Sequence, residues 1–105
     1  MITQTSRNKL SHDVKETLRA IVDYVRSNAP QPGFNIRVYN NEGGHGSTRL
    51  PPARKNQTYY EGRIGETQQG EAGSYRVVVL MDDKTDALLR GYYTRSHYRH
   101  FFQFE

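Results

Sequence analysis

The chain has 105 residues, with 15 Lys and Arg against 11 Asp and Glu, and therefore a net charge of +4. This length predicts a single domain over residues 1–105, and the basic balance favours a polyanionic partner such as RNA. Cysteine is absent, which excludes disulfides, thiolate catalysis and cysteine-based zinc sites. No apolar run is long enough to span a membrane, so no membrane association is expected.

One long helix is predicted near the start of the chain. Residues 1–10 are polar, carry no signal-peptide core and are expected to form a loose lead-in. Asp13, followed three residues later by Glu16, forms a capping-box pattern, so a helix is expected from about Asp13 to Ser27. Pro and Gly between residues 28 and 33 end it. Apolar residues at helical spacing predict one buried stripe, made of Val14, Leu18, Ile21, Val22 and Val25.

The pattern then changes to that of strands. Alternating residues over 34–39 predict a first strand, which is followed by a long loop over 40–56. Further strands are predicted over 59–64, 76–81, 87–93 and 98–104, with a turn at 82–84 and a tight connection at Arg95 and Ser96. This order predicts an α+β domain in which an N-terminal helix packs on a twisted antiparallel sheet.

Strand alternation brings two candidate catalytic side chains together. Side chains alternate between the two faces of a strand with a period of two. If Ile64, Val77 and Val79 pack under the helix, Glu61 and Arg76 emerge together on the open face. A carboxylate beside a guanidinium could serve catalysis, or could be an ordinary cross-strand ion pair.

His97 is a candidate proton donor in the connection before the last strand. RNA transphosphorylation requires a base for the 2′-hydroxyl, an acid for the 5′-oxygen and a cation for the charge of the phosphorane. By composition alone, His97 could equally be an ordinary loop residue, as could His12, His45 and His100. His97 and His100 have no carboxylate close by, so no zinc or other metal is expected.

Three motifs occur in order along the chain. They are Thr-Tyr-Tyr-Glu at 58–61, Gly-Ser-Tyr-Arg-Val-Val at 73–78 and Tyr-Tyr-Thr-Arg-Ser-His-Tyr at 92–98. Together they resemble the microbial guanyl-preferring ribonucleases, which include barnase and the fungal secreted enzymes. The resemblance covers roughly residues 11–104, and the interval from Glu61 to Arg76 is similar to that of streptomycete-type members.

The resemblance implies the microbial ribonuclease fold and a metal-independent endoribonuclease without cofactors. Such an enzyme cleaves single-stranded RNA 3′ of guanosine through a 2′,3′-cyclic phosphate. It implies Glu61 as the catalytic base, His97 as the acid and Arg76 as the arginine on the scissile phosphate. The guanine-binding set it implies is Tyr39, Asn40, Asn41, Glu42 and Tyr98, with backbone N–H groups on guanine O6 and the Glu42 carboxylate on N1–H and N2–H. The same segment could also be an ordinary turn.

One departure from the family concerns a second arginine. Bacterial members often carry it where this chain has Ala72, and fungal members use a histidine whose best match here is Arg37. Arg37 is therefore predicted to be the second catalytic cation, and Arg63 and Arg95 compete for that role.

Two further departures lie around the base-binding segment. The interval from Tyr39 to Glu42 is one residue shorter than usual, which leaves the identity of the stacking aromatic open. The loop over 43–52 is longer than in barnase-like members. Its His45 and Arg49 could alter base preference or bind substrate, or could be solvated loop residues.

Other functions fit parts of the same pattern. A non-catalytic RNA-binding module would use the tyrosines as stacking platforms, and would not need Glu61. A toxin domain that cuts one specific RNA would share the chemistry, and a structural or protein-interaction domain is a third alternative. For a ribonuclease of this family we expect a monomer, secreted as a mature form or exported as part of a larger effector. A small acidic barstar-like inhibitor is its possible protein partner.

Overall fold

The computed structural model of the protein describes residues 1–43, 46–63 and 75–105. Within these residues the order of elements is β1 (Ile2–Gln4), a 3-10 helix (Arg7–Lys9), α1 (His12–Ser27), β2 (Arg37–Val38), β3 (Gln57–Arg63), β4 (Arg76–Asp82), β5 (Leu88–Thr94) and β6 (Phe101–Gln103). The strands form a sheet in the order β1-β6-β5-β4-β3-β2, with antiparallel neighbours except for the parallel pair β1 and β6. The predicted α+β class is confirmed.

Helix α1 covers one face of the sheet with the predicted apolar stripe. Val14, Leu18 and Ile21 are buried, and Val22 and Val25 are partly buried against the same core. No helix in the described part of the chain is long and apolar enough to cross a membrane.

The start of α1 differs from the prediction and its end does not. Ser11 occupies the N-cap position with an extended backbone, so the expected cap at Asp13 was wrong. Asp13 lies instead in the first turn, where its Oδ1 accepts the N–H of Val14 at 2.8 Å and its charge complements the helix dipole. The helix ends at Ser27, as predicted, and the C-cap residue Asn28 has a φ of 55°, the left-handed conformation common at helix C-termini.

The predicted division of β3 and β4 into two faces is confirmed. Val77 and Val79 pack under α1. Gly62 lies on that face too, because a Cβ there would come within 3.0 Å of Ile21 and 3.1 Å of Thr17. A side chain at residue 62 would therefore force the side chain of Ile21 or Thr17 to shift by a few tenths of an ångström. Ile64, expected on the same face, lies outside the described residues.

The opposite face of the sheet carries a second apolar cluster. Its buried members are Leu50, Tyr59, Val78, Leu80, Tyr92 and Phe101. Glu61 faces Val78 across the β3–β4 pair, so Glu61 belongs to this face. The face is left open by α1, and the loop that contains Leu50 covers part of it.

The first ten residues are not the loose lead-in that their polarity predicted. Ile2 pairs in parallel register with Phe101, and Leu10 is buried in the core under α1. β1 is a short edge strand with a largely exposed, polar sequence, and such a strand needs little apolar alternation.

Two other predicted strands are shorter than expected. The first is reduced to Arg37–Val38, since Asn35 has a φ of 49° that an extended strand cannot accommodate. The last begins at Phe101, because His97 and Tyr98 have φ values of 55° and 73°. In each case a left-handed residue interrupts a run whose side-chain pattern is that of a strand.

Candidate active site

Glu61 lies on the open sheet face, on β3, next to the edge strand β2. Its register partner on β2 is Arg37, and Glu61 is only 4% exposed. The Nε of Arg37 donates to Oε1 of Glu61 at 2.6 Å, and the hydroxyl of Tyr98 donates to Oε2 at 2.8 Å. Both donors stabilise negative charge on a carboxylate that is nearly out of water.

Tyr98 is protonated at any ordinary pH. Burial of the ring, followed by the hydrogen bond to Glu61 and the charge of Glu61, raises the pKa of Tyr98 to about 12. The positive charges of Arg76 and Arg37 oppose this rise. Tyr98 is therefore a permanent hydrogen-bond donor to the carboxylate.

Two arginines lie on the same sheet face as Glu61. The hydrogen bond to Glu61 and its negative charge raise the pKa of Arg37, so Arg37 stays charged. Arg76 begins β4 two residues before Val78 and so shares the face of Glu61, as predicted. Arg76 is buried, and its Nη1 donates to the carbonyl of Tyr75 at 2.8 Å.

Within the described residues, the other two candidate arginines contact groups other than Glu61. Arg95 donates to Ser11 Oγ at 3.0 Å and lies 4.8 Å from the centroid of the Tyr75 ring, at the start of α1. Arg63 lines a separate cleft with Tyr24 and Gln31. Of the three arginines considered for the second cation, Arg37 is the one that contacts Glu61. Ala72, which stands at the place of the family's second arginine, lies outside the described residues.

His97 occupies an exposed turn at the edge of the same face. Its φ of 55° and the φ of 73° at Tyr98 put two successive non-glycine residues in the left-handed region, at a cost of about 1–2 kcal/mol each. Thr94 holds this turn: its buried Oγ1 accepts the N–H of Ser96 at 3.3 Å and that of Tyr98 at 3.2 Å. The imidazole lies 4.8 Å from the Tyr98 ring, between centroids, and is open to a ligand.

The other described histidines have structural surroundings. His100 Nε2 is 2.8 Å from the Thr3 hydroxyl and so ties β6 to β1. His12 pairs with Glu16 at 2.7 Å on the surface of α1. His45 lies outside the described residues. Of the three that are described, His97 is the one beside Tyr98, whose hydroxyl donates to Glu61.

A cleft joins the candidate base-binding segment to Glu61. It has a volume of about 390 Å³ and is lined by Arg37, Val38, Tyr39, Asn40, Asn41, Glu42, Gly43, Ser47, Glu61 and Tyr98. The predicted guanine-binding residues and two predicted catalytic residues therefore share one space. That volume belongs to the range of small-molecule sites.

Within the segment, Asn41 has a different role from Glu42. The Asn41 amide is engaged by the loop, because Leu50 N–H donates to its Oδ1 at 2.8 Å and its Nδ2 donates to the Leu50 carbonyl at 2.9 Å. Asn41 can therefore offer a base its backbone groups, but not its side chain. The side chain of Glu42 is exposed, while its carbonyl accepts a hydrogen bond from Arg49.

Tyr39 is aromatic at the position predicted for base stacking, but one face of its ring is covered. Its centroid is 5.3 Å from that of Tyr98 at an interplanar angle of 23°, and Tyr59 meets it edge-on at 6.3 Å. A nucleobase that stacks on Tyr39 must therefore use the other face of the ring or displace Tyr98. The contact also links the base-binding segment to the turn that carries His97.

Sequence reasoning missed the residues that hold the site in place. Thr94 stands inside the third motif but was given no role, and Thr48 lies in a loop of unassigned function. Thr48 donates its backbone N–H to the Tyr98 carbonyl at 2.7 Å and its hydroxyl to the Arg99 carbonyl at 2.6 Å. No signal in the sequence marks Thr48, because its partners lie about fifty residues away along the chain.

The fold defines the class of the protein: an α+β domain with a helix on one sheet face and, on the other, a buried carboxylate bonded by an arginine and a tyrosine. A family model described as ribonuclease matches residues 2–105, which is nearly the whole chain, and the chain belongs to this ribonuclease family. The relationship predicted from the three motifs is thus confirmed, and the protein is an RNA-cleaving enzyme of that family. Comparison with curated proteins and with solved structures returns no match.

Proposed function

We propose that this ribonuclease cleaves single-stranded RNA 3′ of guanosine, without metal or cofactor, through a 2′,3′-cyclic phosphate. Glu61 is the general base, His97 the general acid, and Arg76 and Arg37 bind the phosphate. The observation that carries the proposal is the Glu61 carboxylate, buried at the floor of the 390 Å³ cleft and bonded by Arg37 at 2.6 Å and Tyr98 at 2.8 Å.

In the first step the Glu61 carboxylate removes the proton of the 2′-hydroxyl, whose oxygen attacks phosphorus. The bond from phosphorus to the 5′-oxygen breaks, and His97 gives that oxygen a proton. Arg76 and Arg37 neutralise the charge that builds on the equatorial oxygens. In the second step His97 takes a proton from water, the water oxygen opens the cyclic phosphate, and Glu61 returns its proton to the 2′-oxygen.

The hydrogen bonds at Glu61 suit this role. A base that is both buried and hydrogen-bonded is held in one rotamer, so little reorganisation is needed when the 2′-hydroxyl arrives. The 2′-hydroxyl has to share or replace one of the two bonds, and that of Arg37 is the one open to solvent, since the Arg37 side chain is 63% exposed. When Arg37 releases Glu61, its guanidinium can bind the phosphate.

The proposed guanine site is the segment from Tyr39 to Glu42 together with Tyr98. Guanine presents N1–H and N2–H side by side, next to the O6 acceptor. The exposed Glu42 carboxylate can accept from the two donors, and backbone N–H groups of the segment can donate to O6. Adenine lacks this pattern of donors, so it would leave the carboxylate without a partner.

The test is the cleavage of the dinucleotides GpU, ApU and UpU in EDTA. We expect GpU to be cleaved fastest, with guanosine 2′,3′-cyclic phosphate appearing before the 3′-phosphate. Complete loss of activity in EDTA, or equal rates on the three dinucleotides, would overturn the mechanism or the guanine preference respectively.

We also propose that the enzyme is secreted, acts as a monomer and is held in check by an acidic inhibitor. The resemblance to secreted family members supports secretion. The exposed cation Arg37 at the mouth of the cleft, in a protein of net charge +4, supports an acidic partner that covers the site. A barstar-like protein should compete with guanosine 3′-monophosphate for the enzyme and should bind more weakly as salt rises. Failure of both expectations would remove the inhibitor from the proposal.

A further inference from the structure

The turn that carries His97 is held from outside by a residue of the long loop. The backbone N–H of Thr48 donates to the Tyr98 carbonyl at 2.7 Å, and the Thr48 hydroxyl donates to the Arg99 carbonyl at 2.6 Å. These two bonds fix the backbone just after His97. They do so where two successive left-handed residues need their surroundings to keep them in place.

Two residues further on, the same loop is tied to the base-binding segment. Leu50 and Asn41 exchange two hydrogen bonds, at 2.8 Å and 2.9 Å. The Leu50 side chain is fully buried in the cluster that contains Tyr59 and Phe101. The loop is therefore anchored to the core of the sheet face on which Glu61 lies.

We propose that residues 47–50, here called the brace, hold the His97 turn in register with the base-binding segment, and that Thr48 is the positioning residue. The proposal rests on the proposed function, in which that segment binds guanine and His97 protonates the 5′-oxygen. Because the brace joins the two, the fit of the base sets the placement of the acid. Binding energy from guanine is then expressed in kcat as well as in KM.

The first test compares Thr48→Val with Thr48→Ser in the cleavage of GpU. Valine keeps the shape of threonine but cannot donate to Arg99, whereas serine can. We expect Thr48→Val to lower kcat roughly 10- to 100-fold with KM within about twofold, and Thr48→Ser to recover most of kcat. Unchanged kcat in Thr48→Val, or an equal loss in both variants, would overturn the proposal.

The matched control is Thr58→Val. The Thr58 hydroxyl donates to Oδ1 of Asp83, also at 2.6 Å, near the β3–β4 end opposite Arg63 and Arg76. This variant loses a hydrogen bond of the same length, so it should change stability without changing kcat. Circular dichroism at the assay temperature establishes that each variant is folded. A loss of kcat in Thr58→Val equal to that in Thr48→Val would mean that the effect is one of stability, and would overturn the role of Thr48.

A double-mutant cycle tests the link itself. Asn41→Ala removes the side-chain bonds at one end of the brace and Thr48→Val removes the hydroxyl bond at the other, so both changes weaken the same connection. We expect the double variant to have the kcat of the slower single variant, and additive losses would overturn the coupling. If the unaltered enzyme did not cleave GpU, the proposed function would fail. If it cleaved GpU and Thr48→Val did the same at full kcat, the brace alone would fail.

Discussion

The Nε of Arg37 lies 2.6 Å from Oε1 of Glu61, across the antiparallel pair of β2 and β3. The Arg37 side chain is 63% exposed and that of Glu61 only 5%, so the pair joins a buried carboxylate to a cation at the surface. An ion pair of this kind differs from a surface pair, because the carboxylate depends on its partners for the solvation it has lost. Arg37 thus stabilises the charge of the Glu61 carboxylate before substrate binds. In the proposed mechanism it then binds the phosphate.

Replacing Arg37 should slow the chemical step. We expect Arg37→Ala to lower kcat for GpU about 10- to 1000-fold while leaving the Kd of guanosine 3′-monophosphate within a few-fold, since the loss falls mainly on the transition state. Arg37→Lys should recover only part of kcat, because an ammonium cannot reproduce the planar guanidinium. Steady-state kinetics and equilibrium titration measure the two quantities.

The matched control for Arg37 is Arg95→Ala, which removes an arginine bonded to Ser11 at the start of α1. It should keep kcat. Full kcat in Arg37→Ala, with a loss in Arg95→Ala or Arg63→Ala, would place the second cation elsewhere.

Replacing histidines one at a time tests the general acid. His97→Ala should lower kcat by at least about 100-fold, the low end for a positioned acid or base. His12→Ala should be close to the unaltered enzyme, because His12 lies on the surface of α1. His100→Ala should lose stability through its bond to Thr3 but keep most of kcat at a temperature where it is folded. Activity that survived in His97→Ala and vanished in His100→Ala would show that the acid is His100.

The main features of the fold could be predicted because each follows from a regular spacing of apolar side chains within a short segment. The α1 stripe and the opposite faces of Val77 and Val78 follow from the spacing of apolar side chains, and both are confirmed. β1 could not be predicted, because a polar edge strand has no such period and its partner β6 lies at the other end of the chain.

The sequence predicted which residues form the candidate site, but it did not predict which of them contact one another. The motifs pointed to Glu61, Arg76 and His97, and their catalytic roles stay predictions. The bond from Arg37 to Glu61 depends on the register of β2 against β3, which alternation alone does not determine. The sequence gives no sign that the Asn41 side chain is engaged by the loop, which only its two hydrogen bonds with Leu50 show.

The close packing of Phe104 against Gly91 predicts that a larger residue at position 91 destabilises the core. A Cβ at this residue would lie 2.4 Å from Cε2 and 2.6 Å from Cζ of Phe104, a contact closer than any real pair tolerates. Gly91→Ala should therefore lower the free energy of unfolding by about 1–3 kcal/mol, the range for overpacking. Urea unfolding followed by circular dichroism measures it.

The double variant Gly91→Ala with Phe104→Leu is the control for Gly91, because the shorter side chain makes room for the methyl group. It should lose less than the sum of the two single variants. Additive losses, or a stability of Gly91→Ala equal to that of the unaltered protein, would contradict the predicted clash.

Alkaline unfolding should report the buried tyrosine at the site. The pKa of Tyr98 is raised to about 12 in the folded protein, against about 10 in an unfolded chain. Between these values the folded state binds more protons than the unfolded state, so stability falls as pH rises from about 10 to about 12. The stabilisation is complete below pH 10 and is lost above 12, because the phenolate cannot remain beside the Glu61 carboxylate.

The free energy of unfolding of Tyr98→Phe should accordingly fall less steeply than that of the unaltered protein over this range. Tyr75→Phe, which changes an exposed tyrosine, should show the full slope. Urea titrations at pH 9 and pH 11 measure the difference, and equal slopes for Tyr98→Phe and the unaltered protein would show that Tyr98 ionises without cost in the fold.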